Sequence, residues 1–169
     1  MDYIAESVCR CDKNKELIIS GVPYQNQEDL VEVFKQISES IGFKEPKIPL
    51  VELQRLSRSL IAPGLTPPIL CEFALRNHRN EFYRNYLSKR SLCLRHIGFE
   101  SENRIYINEN LTPNARRIRS EAVKLTKAGQ LDSITMRDGI VCVKPKGSEK
   151  ATALHSLPQV ASFIRNPIQ

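Results

Sequence analysis

The chain has 169 residues, of which 41% are hydrophobic and 26% charged, a balance typical of globular proteins rather than of disordered chains. No stretch approaches the roughly 18 apolar residues of a membrane-spanning helix, there is no recognisable secretory signal, and the five cysteines follow no disulfide spacing. We therefore expect an intracellular protein, nuclear or cytoplasmic, and its net charge of +6 favours a polyanionic partner.

Apolar periodicity and breaker residues predict a β-α-β-β-α-β order within residues 15–100, after an arm or linker at 1–14. Strands are predicted at 16–23, 51–58, 69–75 and 92–99, and helices at 27–41 and 76–90. Asn26 is the predicted N-cap of the first helix, and Gly42 follows its end. This order is that of a ferredoxin-like α+β domain, the split βαβ unit that RNA-recognition motifs also use.

A second, smaller α+β domain is predicted for residues 101–169. Strands are predicted at 104–108, 133–137 and 140–144, and a last helix at 157–165. Between them lies a helix that Thr112 caps and that Pro113 begins. The dipeptide Asp138-Gly139 is a strong signal for a two-residue turn, so the last two strands should form a β-hairpin.

The residue types that catalysis or metal binding requires do not come together in the sequence. The three histidines do not pair with cysteines or carboxylates at metal-ligand spacing, and Cys9 and Cys11 lack a second pair. There is neither a glycine-rich phosphate loop nor a nucleophile elbow. We therefore expect a protein that is not an enzyme and that holds no metal or cofactor.

The open face of the predicted sheet lacks the aromatic rings on which RNA-recognition motifs stack bases. Strand alternation turns Leu17, Cys71 and Phe73 inward, and it places Ile18 and Leu70 on the open face. We expect Leu94 beside them on the fourth strand. Since each stacking ring contributes about 1–3 kcal/mol, a ring-free face favours a protein partner over single-strand readout.

Positive charge is concentrated in residues 76–150, which hold 16 basic and 8 acidic residues against 8 and 11 in residues 1–75. The predicted helix after Thr112 carries five of these cations: Arg116, Arg117, Arg119, Lys124 and Lys127. Arginine makes bidentate contacts with phosphate, so we expect a phosphate-binding surface; the alternative is a solvated helix face.

Further cations extend this predicted site into a basic cleft between the two domains. Arg104 and Arg137 lie near the basic helix in the sequence pattern, and Arg76, Arg79 and Arg95 are candidates for the opposing wall. The alternative for Arg79, as for His78, is simple exposure on the second helix. Tyr106 is the ring expected to stack a base, with packing in the core as its alternative.

Residues 105–113 (Ile-Tyr-Ile-Asn-Glu-Asn-Leu-Thr-Pro) and 137–145 (Arg-Asp-Gly-Ile-Val-Cys-Val-Lys-Pro) resemble the C-terminal domain of the baculovirus few-polyhedra protein family. That domain also occurs in insect cellular proteins and in retroelement-derived proteins. Residues 17–23 and the predicted strand order resemble the RNA-recognition-motif domain of the first-open-reading-frame protein of LINE-type retrotransposons. The resemblance implies a chaperone of single-stranded RNA and DNA that oligomerises through a coiled coil upstream of these domains and outside this chain.

Two functions follow as expectations. The first is a non-catalytic module of retroelement or viral ancestry that binds single-stranded nucleic acid through the basic cleft. The second is a domesticated protein–protein interaction domain of a nuclear or chromatin complex, in which Ile18 and Leu70 contact the partner.

Overall fold

The computed structural model describes residues 3–44, 51–57, 59–89 and 91–165. Within these ranges the chain forms five α-helices and two antiparallel sheets, so the predicted α+β class is confirmed. The chain divides into two compact units, Lys15–Asn108 and a second that joins Met1–Asn14 to Glu109–Gln169. We call them the sheet unit and the terminal unit. None of the described helices combines the length and the hydropathy that crossing a bilayer requires.

The helices and strands follow one another in this order: α1 (Tyr3–Asp12), β1 (Glu16–Ser20), α2 (Leu30–Ile41), β2 (Val51–Arg55), β3 (Ile69–Phe73), α3 (Arg76–Ser88), a 3₁₀ helix (Leu94–Ile97), β4 (Tyr106–Glu109), α4 (Pro113–Lys127), β5 (Leu131–Arg137), β6 (Ile140–Pro145), β7 (Thr152–Leu154) and α5 (Leu157–Arg165).

The sheet unit is built on a four-stranded sheet with the strand order β2-β3-β1-β4. One face of this sheet packs against α2 and α3. The residues on that face alternate along each strand as predicted, and Leu17, Cys71 and Phe73 are buried. Aromatic rings fill the space beneath the helices. Phe82 of α3 lies 5.1 Å from Phe34 and 5.5 Å from Phe73, measured between ring centroids. Such contacts add to the burial of apolar area.

Local signals set the ends of α2, although the predicted cap is wrong by three residues. The Asp29 carboxylate, not Asn26, accepts hydrogen bonds from the backbone N–H groups of Val31 and Glu32. Asp29 directly precedes the first turn, so its side chain reaches the amides that have no partner within the helix. At the other end Gly42 adopts a left-handed conformation with φ of 74°, as predicted for the residue after the helix.

The predicted fourth strand at 92–99 is wrong. The segment forms a 3₁₀ helix instead, in which Leu94 and Ile97, three residues apart, are both buried. Cys93 and His96 cap its start reciprocally, and Gly98 at φ of 87° ends it. Leu94 therefore lies in the core and not on the open face. The fourth strand of the sheet is β4, from the segment that we expected to begin the second domain.

The terminal unit packs α4 and α5 with the three-stranded sheet β5-β6-β7 around an aliphatic core. The predicted cap of α4 is confirmed, because Thr112 Oγ1 accepts a hydrogen bond from the backbone N–H of Ala115 at 3.1 Å. The predicted hairpin is also confirmed. Asp138 and Gly139 both have positive φ, 50° and 74°, as a two-residue turn requires. Helix α1 and strand β7 have no counterpart in the sequence prediction.

Candidate nucleic-acid interface

Helix α4 turns its apolar residues inward and its cations outward. Ala115, Ile118, Ala122 and Leu125 are buried, and they recur at the helical period. The five predicted phosphate-binding cations of this helix are all exposed. The helix thus presents a basic surface whose geometry follows directly from the 3.6-residue repeat.

Four of these cations converge on one open groove of about 390 Å³, which we call the basic groove. It is lined by Leu111, Arg116, Arg119, Ser120, Val123, Lys124 and Lys127. Arg116 and Lys127 stand eleven residues apart, about 16 Å along the helix axis. The basic groove therefore offers a row of positive charge with an apolar floor formed by Leu111 and Val123.

The four cations of the basic groove differ in their contacts. Arg116 Nη2 donates a hydrogen bond to Asn110 Oδ1 at 3.0 Å, which orients the guanidinium. Lys124 Nζ lies 2.6 Å from a carboxylate oxygen of Glu121, and both side chains are exposed, so this ion pair is weak and easily exchanged. Among the described residues, Arg119 and Lys127 have no ion pair.

Helix α1 contributes a carboxylate at the start of α4. Thr112 Oγ1 donates a hydrogen bond to Glu6 Oε1 at 2.5 Å. The positive end of the helix dipole disfavours the arginines in the first turns of α4, and a negative charge at this position offsets that effect. Sequence reasoning missed Glu6, because no pattern in residues 1–14 connects them with Thr112, more than a hundred positions later.

Arg117, the fifth cation of α4, does not line the basic groove. It lines a second groove together with residues of α5, on another side of the helix. The i,i+1 spacing explains this, because successive residues of a helix point about 100° apart. Only four of the five cations predicted on this helix are therefore brought together.

The structure buries Arg79, contrary to the expectation of an accessible side chain on α3. Its exposed fraction is 4%, its Nη1 donates to Asn80 Oδ1 at 3.0 Å, and its guanidinium carbon lies 5.4 Å from the centroid of the Tyr83 ring. Its Nε donates to the backbone carbonyl of Glu16 at 3.5 Å, so Arg79 also links α3 to β1. The charge of the side chain favoured exposure, although the helical spacing places Arg79 on the same face as the core residue Phe82.

The remaining predicted cations are exposed and are divided between the two units. Arg76 begins α3, and Arg95 pairs with Glu102 at 2.7 Å on the surface of the sheet unit. Arg104 belongs to the same unit, whereas Arg137 ends β5 in the terminal unit. The basic cleft between domains stays a prediction.

Tyr106 stands on the open face of the sheet, which corrects two expectations. Its exposed fraction is 48% while its neighbours Ile105 and Ile107 are buried, so the alternative that packed it in the core is wrong. The expectation of a ring-free face is wrong as well, because Tyr106 lies on the true fourth strand. The guanidinium carbon of Arg104 lies 5.4 Å from the ring centroid, within cation–π distance.

The rest of the open face is chemically unlike the basic groove. Ile18 and Leu70 are directly paired across β1 and β3, and both are half-buried, as predicted for this face. In the neighbouring row, Glu72 faces Glu16 on one side and Glu52 on the other. Aligned carboxylates repel one another and would repel phosphates.

Two cysteines and one histidine of the sheet unit are held by burial or by hydrogen bonds. Burial raises the pKa of the Cys71 thiol far above its usual value. Cys93 Sγ lies 3.2 Å from His96 Nδ1 and 3.3 Å from Glu102 Oε2, a proximity that sequence reasoning missed. His96 Nδ1 accepts the backbone N–H of Cys93 at 3.0 Å and so closes a turn. No group of three or more described His, Cys, Asp or Glu side chains is arranged to hold a metal.

The comparisons with known proteins assign no family to this chain. No protein-family model matches it, and a search of curated proteins found no significant match. What the chain does must be argued from the residues of the two units themselves.

Proposed function

We propose that the terminal unit binds single-stranded nucleic acid without catalysis and holds phosphates in the basic groove. The observation that carries this proposal is the convergence of Arg116, Arg119, Lys124 and Lys127 on one groove. Two of the four have no ion pair among the described residues, so their charge is available to a ligand. Arginine and lysine at such spacing bind a phosphate backbone without reading its sequence.

The composition of the basic groove favours a single strand over a duplex. Val123 adds half-buried apolar surface between the cations, and unpaired bases and sugars can contact such surface while phosphates meet the charges. Tyr106, flanked by Arg104, is the exposed ring that we propose for stacking one base.

The sheet unit, in this proposal, is a ferredoxin-like scaffold of the RNA-recognition type. The strand order β2-β3-β1-β4, with two helices over one face, supports that assignment. A descent from few-polyhedra proteins or LINE-type retroelements is proposed on the sequence resemblance alone.

A second candidate function rests on the open sheet face. Ile18 and Leu70 form an adjacent, partly exposed apolar pair beside the carboxylates of Glu16, Glu72 and Glu52. An apolar centre with an acidic border suits a basic protein surface better than a nucleic acid. The basic groove lies in the terminal unit, away from this pair in the chain, whereas Tyr106 shares the open face with Ile18 and Leu70, so a bound protein would compete with a stacked base for that face.

Fluorescence anisotropy with labelled oligonucleotides tests the first proposal. At low salt we expect single-stranded RNA or DNA to bind more tightly than a duplex of the same length. Arg119→Ala combined with Lys127→Ala should weaken binding at least about tenfold, because two charge-assisted contacts are lost. Arg117→Ala is the control outside the basic groove, and it removes one positive charge from α4 where the groove variant removes two.

Two results would contradict the proposal. The first is an absence of binding at low salt. The second is a loss of affinity for each removed charge that is equal in the groove variant and in the Arg117→Ala control, which would show that the net charge of the helix matters and the basic groove does not.

A further inference from the structure

Helix α5 has a broad apolar face, of which the core of the terminal unit covers only part. Val160 and Phe163 pack against the core of the terminal unit. Leu157 and Ile164 lie at the edge of this face that is farther from Phe163, with exposed fractions of 39% and 55%. With Ala161 they recur at intervals of four and three residues, so they form a continuous stripe. A helix that only covered a core would need a narrower apolar face.

This stripe lines a groove of about 370 Å³, which we call the α4–α5 groove. It is formed by Arg117, Ser120, Glu121, Leu157, Val160, Ala161 and Ile164. The floor is apolar, and the α4 side carries one cation and one anion. Arg117 and Glu121 are one helical turn apart, about 6 Å along the axis.

We propose that the α4–α5 groove is the contact surface for a second copy of this chain, related by a two-fold axis. A two-fold interface brings a surface against itself, so the surface must complement its own charge pattern. If two α4 helices cross in antiparallel fashion at this groove, Arg117 of one copy meets Glu121 of the second copy, and the reverse pair forms at the same time. The apolar stripes then cover each other.

The existing ion pair of Glu121 does not prevent this arrangement. Glu121 contacts Lys124 at 2.6 Å, but both side chains are exposed, and exposed pairs of this kind contribute little stability. Exchanging Lys124 for an arginine of the second copy costs little. The exchange also leaves the Lys124 ammonium free in the basic groove.

Charge reversal tests the two-fold pairing by sedimentation velocity over a series of protein concentrations. We expect a concentration-dependent dimer of the full chain. Arg117→Glu, or Glu121→Arg, should raise its dissociation constant at least about tenfold, since each reversal places like charges opposite each other twice. The combined variant with both reversals should return to within about threefold of the original, because the pairs are restored with opposite polarity.

Two further variants sharpen the test. Ile164→Ser should weaken the dimer by removing apolar contact, and circular dichroism should show an unchanged fold because the side chain is exposed. Arg119→Glu, a reversal in the basic groove, should leave the dimer unchanged. A chain that is monomeric at every concentration would overturn the proposal. The proposal would also be overturned if the single reversals left the dissociation constant of the dimer unchanged, or if the combined variant failed to restore it.

Discussion

The two units use the same kinds of residue for different ends. The sheet unit has a core of packed phenylalanine rings. It also buries two arginines: Arg79 packs on the Tyr83 ring, and Arg55 forms a buried ion pair with Glu28. The terminal unit has an aliphatic core and keeps its α4 cations at the surface. The sheet unit, residues 15–108, holds 13 basic and 11 acidic residues, against 12 and 8 in the terminal unit, residues 1–14 together with 109–169. Net charge by sequence segment therefore says less about a binding surface than the environment of each cation.

Removal of Arg55 should have the largest effect and would sharpen this comparison. Its guanidinium donates to both carboxylate oxygens of Glu28 at 2.8 and 2.7 Å, and to the carbonyls of Val22 and Pro67 at 2.8 and 2.7 Å. We expect Arg55→Ala to lower the free energy of unfolding by about 3–5 kcal/mol, because it leaves a buried carboxylate without its partner. Urea denaturation measures this, and Arg84→Ala on the exposed side of α3 is the matched control. A loss of unfolding free energy below about 1 kcal/mol would show that Arg55 stabilises the sheet unit no more than a surface arginine does.

Replacement of Tyr106 tests the exposed ring that we propose for stacking a base. Tyr106→Leu should weaken binding of a single-stranded oligonucleotide by about 1–3 kcal/mol, the usual contribution of a stacked base. The dependence of binding on salt should not change, because stacking neutralises no phosphate. Isothermal titration at two salt concentrations measures both quantities. Unchanged affinity would limit the interface to the terminal unit.

The Cys71 thiol gives the sheet-unit core a pH dependence. Its folded pKa is raised above the usual value of about 9 by burial, so both states hold the proton below that pH, and above it only the unfolded state releases it. The free energy of unfolding should therefore fall as pH rises above about 9, by up to about 1.4 kcal/mol per pH unit. Comparing Cys71→Ala with the original chain at about pH 8 and pH 10 isolates this contribution. Parallel pH profiles would contradict it.

The smallest expected effect concerns the open sheet face. Ile18→Ser combined with Leu70→Ser should leave oligonucleotide affinity within about threefold of the original, because the neighbouring row of glutamates keeps phosphates away from this part of the face. The anisotropy assay measures this directly. A tenfold loss would show that nucleic acid crosses the acidic row, and the proposed division of surfaces would be wrong.

Local signals explain which parts of the fold were predictable. The cap at Thr112, the turn at Asp138-Gly139 and the alternation in β1 and β3 depend on neighbouring residues, and all three are confirmed. The strand predicted at 92–99 was wrong because a short apolar run with Leu94 and Ile97 fits a strand or a 3₁₀ turn equally well.

Tertiary contacts explain what the sequence did not reveal. Helix α1 has no buried residue, and the hydrogen bond between Thr112 and Glu6 joins residues more than a hundred positions apart. The burial of Arg79 likewise depends on packing around α3, whereas the separation of Arg117 from the basic groove follows from the helical period. The sequence predicted the kinds of residue at the candidate site, but not which of the predicted cations lie together.

The salt dependence of single-strand binding tests the central claim most directly. If the basic groove neutralises four phosphates, log affinity should fall with log salt at a slope near −3, from about −0.7 for each phosphate. Arg119→Ala combined with Lys127→Ala should bring that slope to about −1.4, whereas Ile164→Ser should leave it unchanged. A slope near zero in the original chain, or one that the groove variant does not alter, would contradict the account.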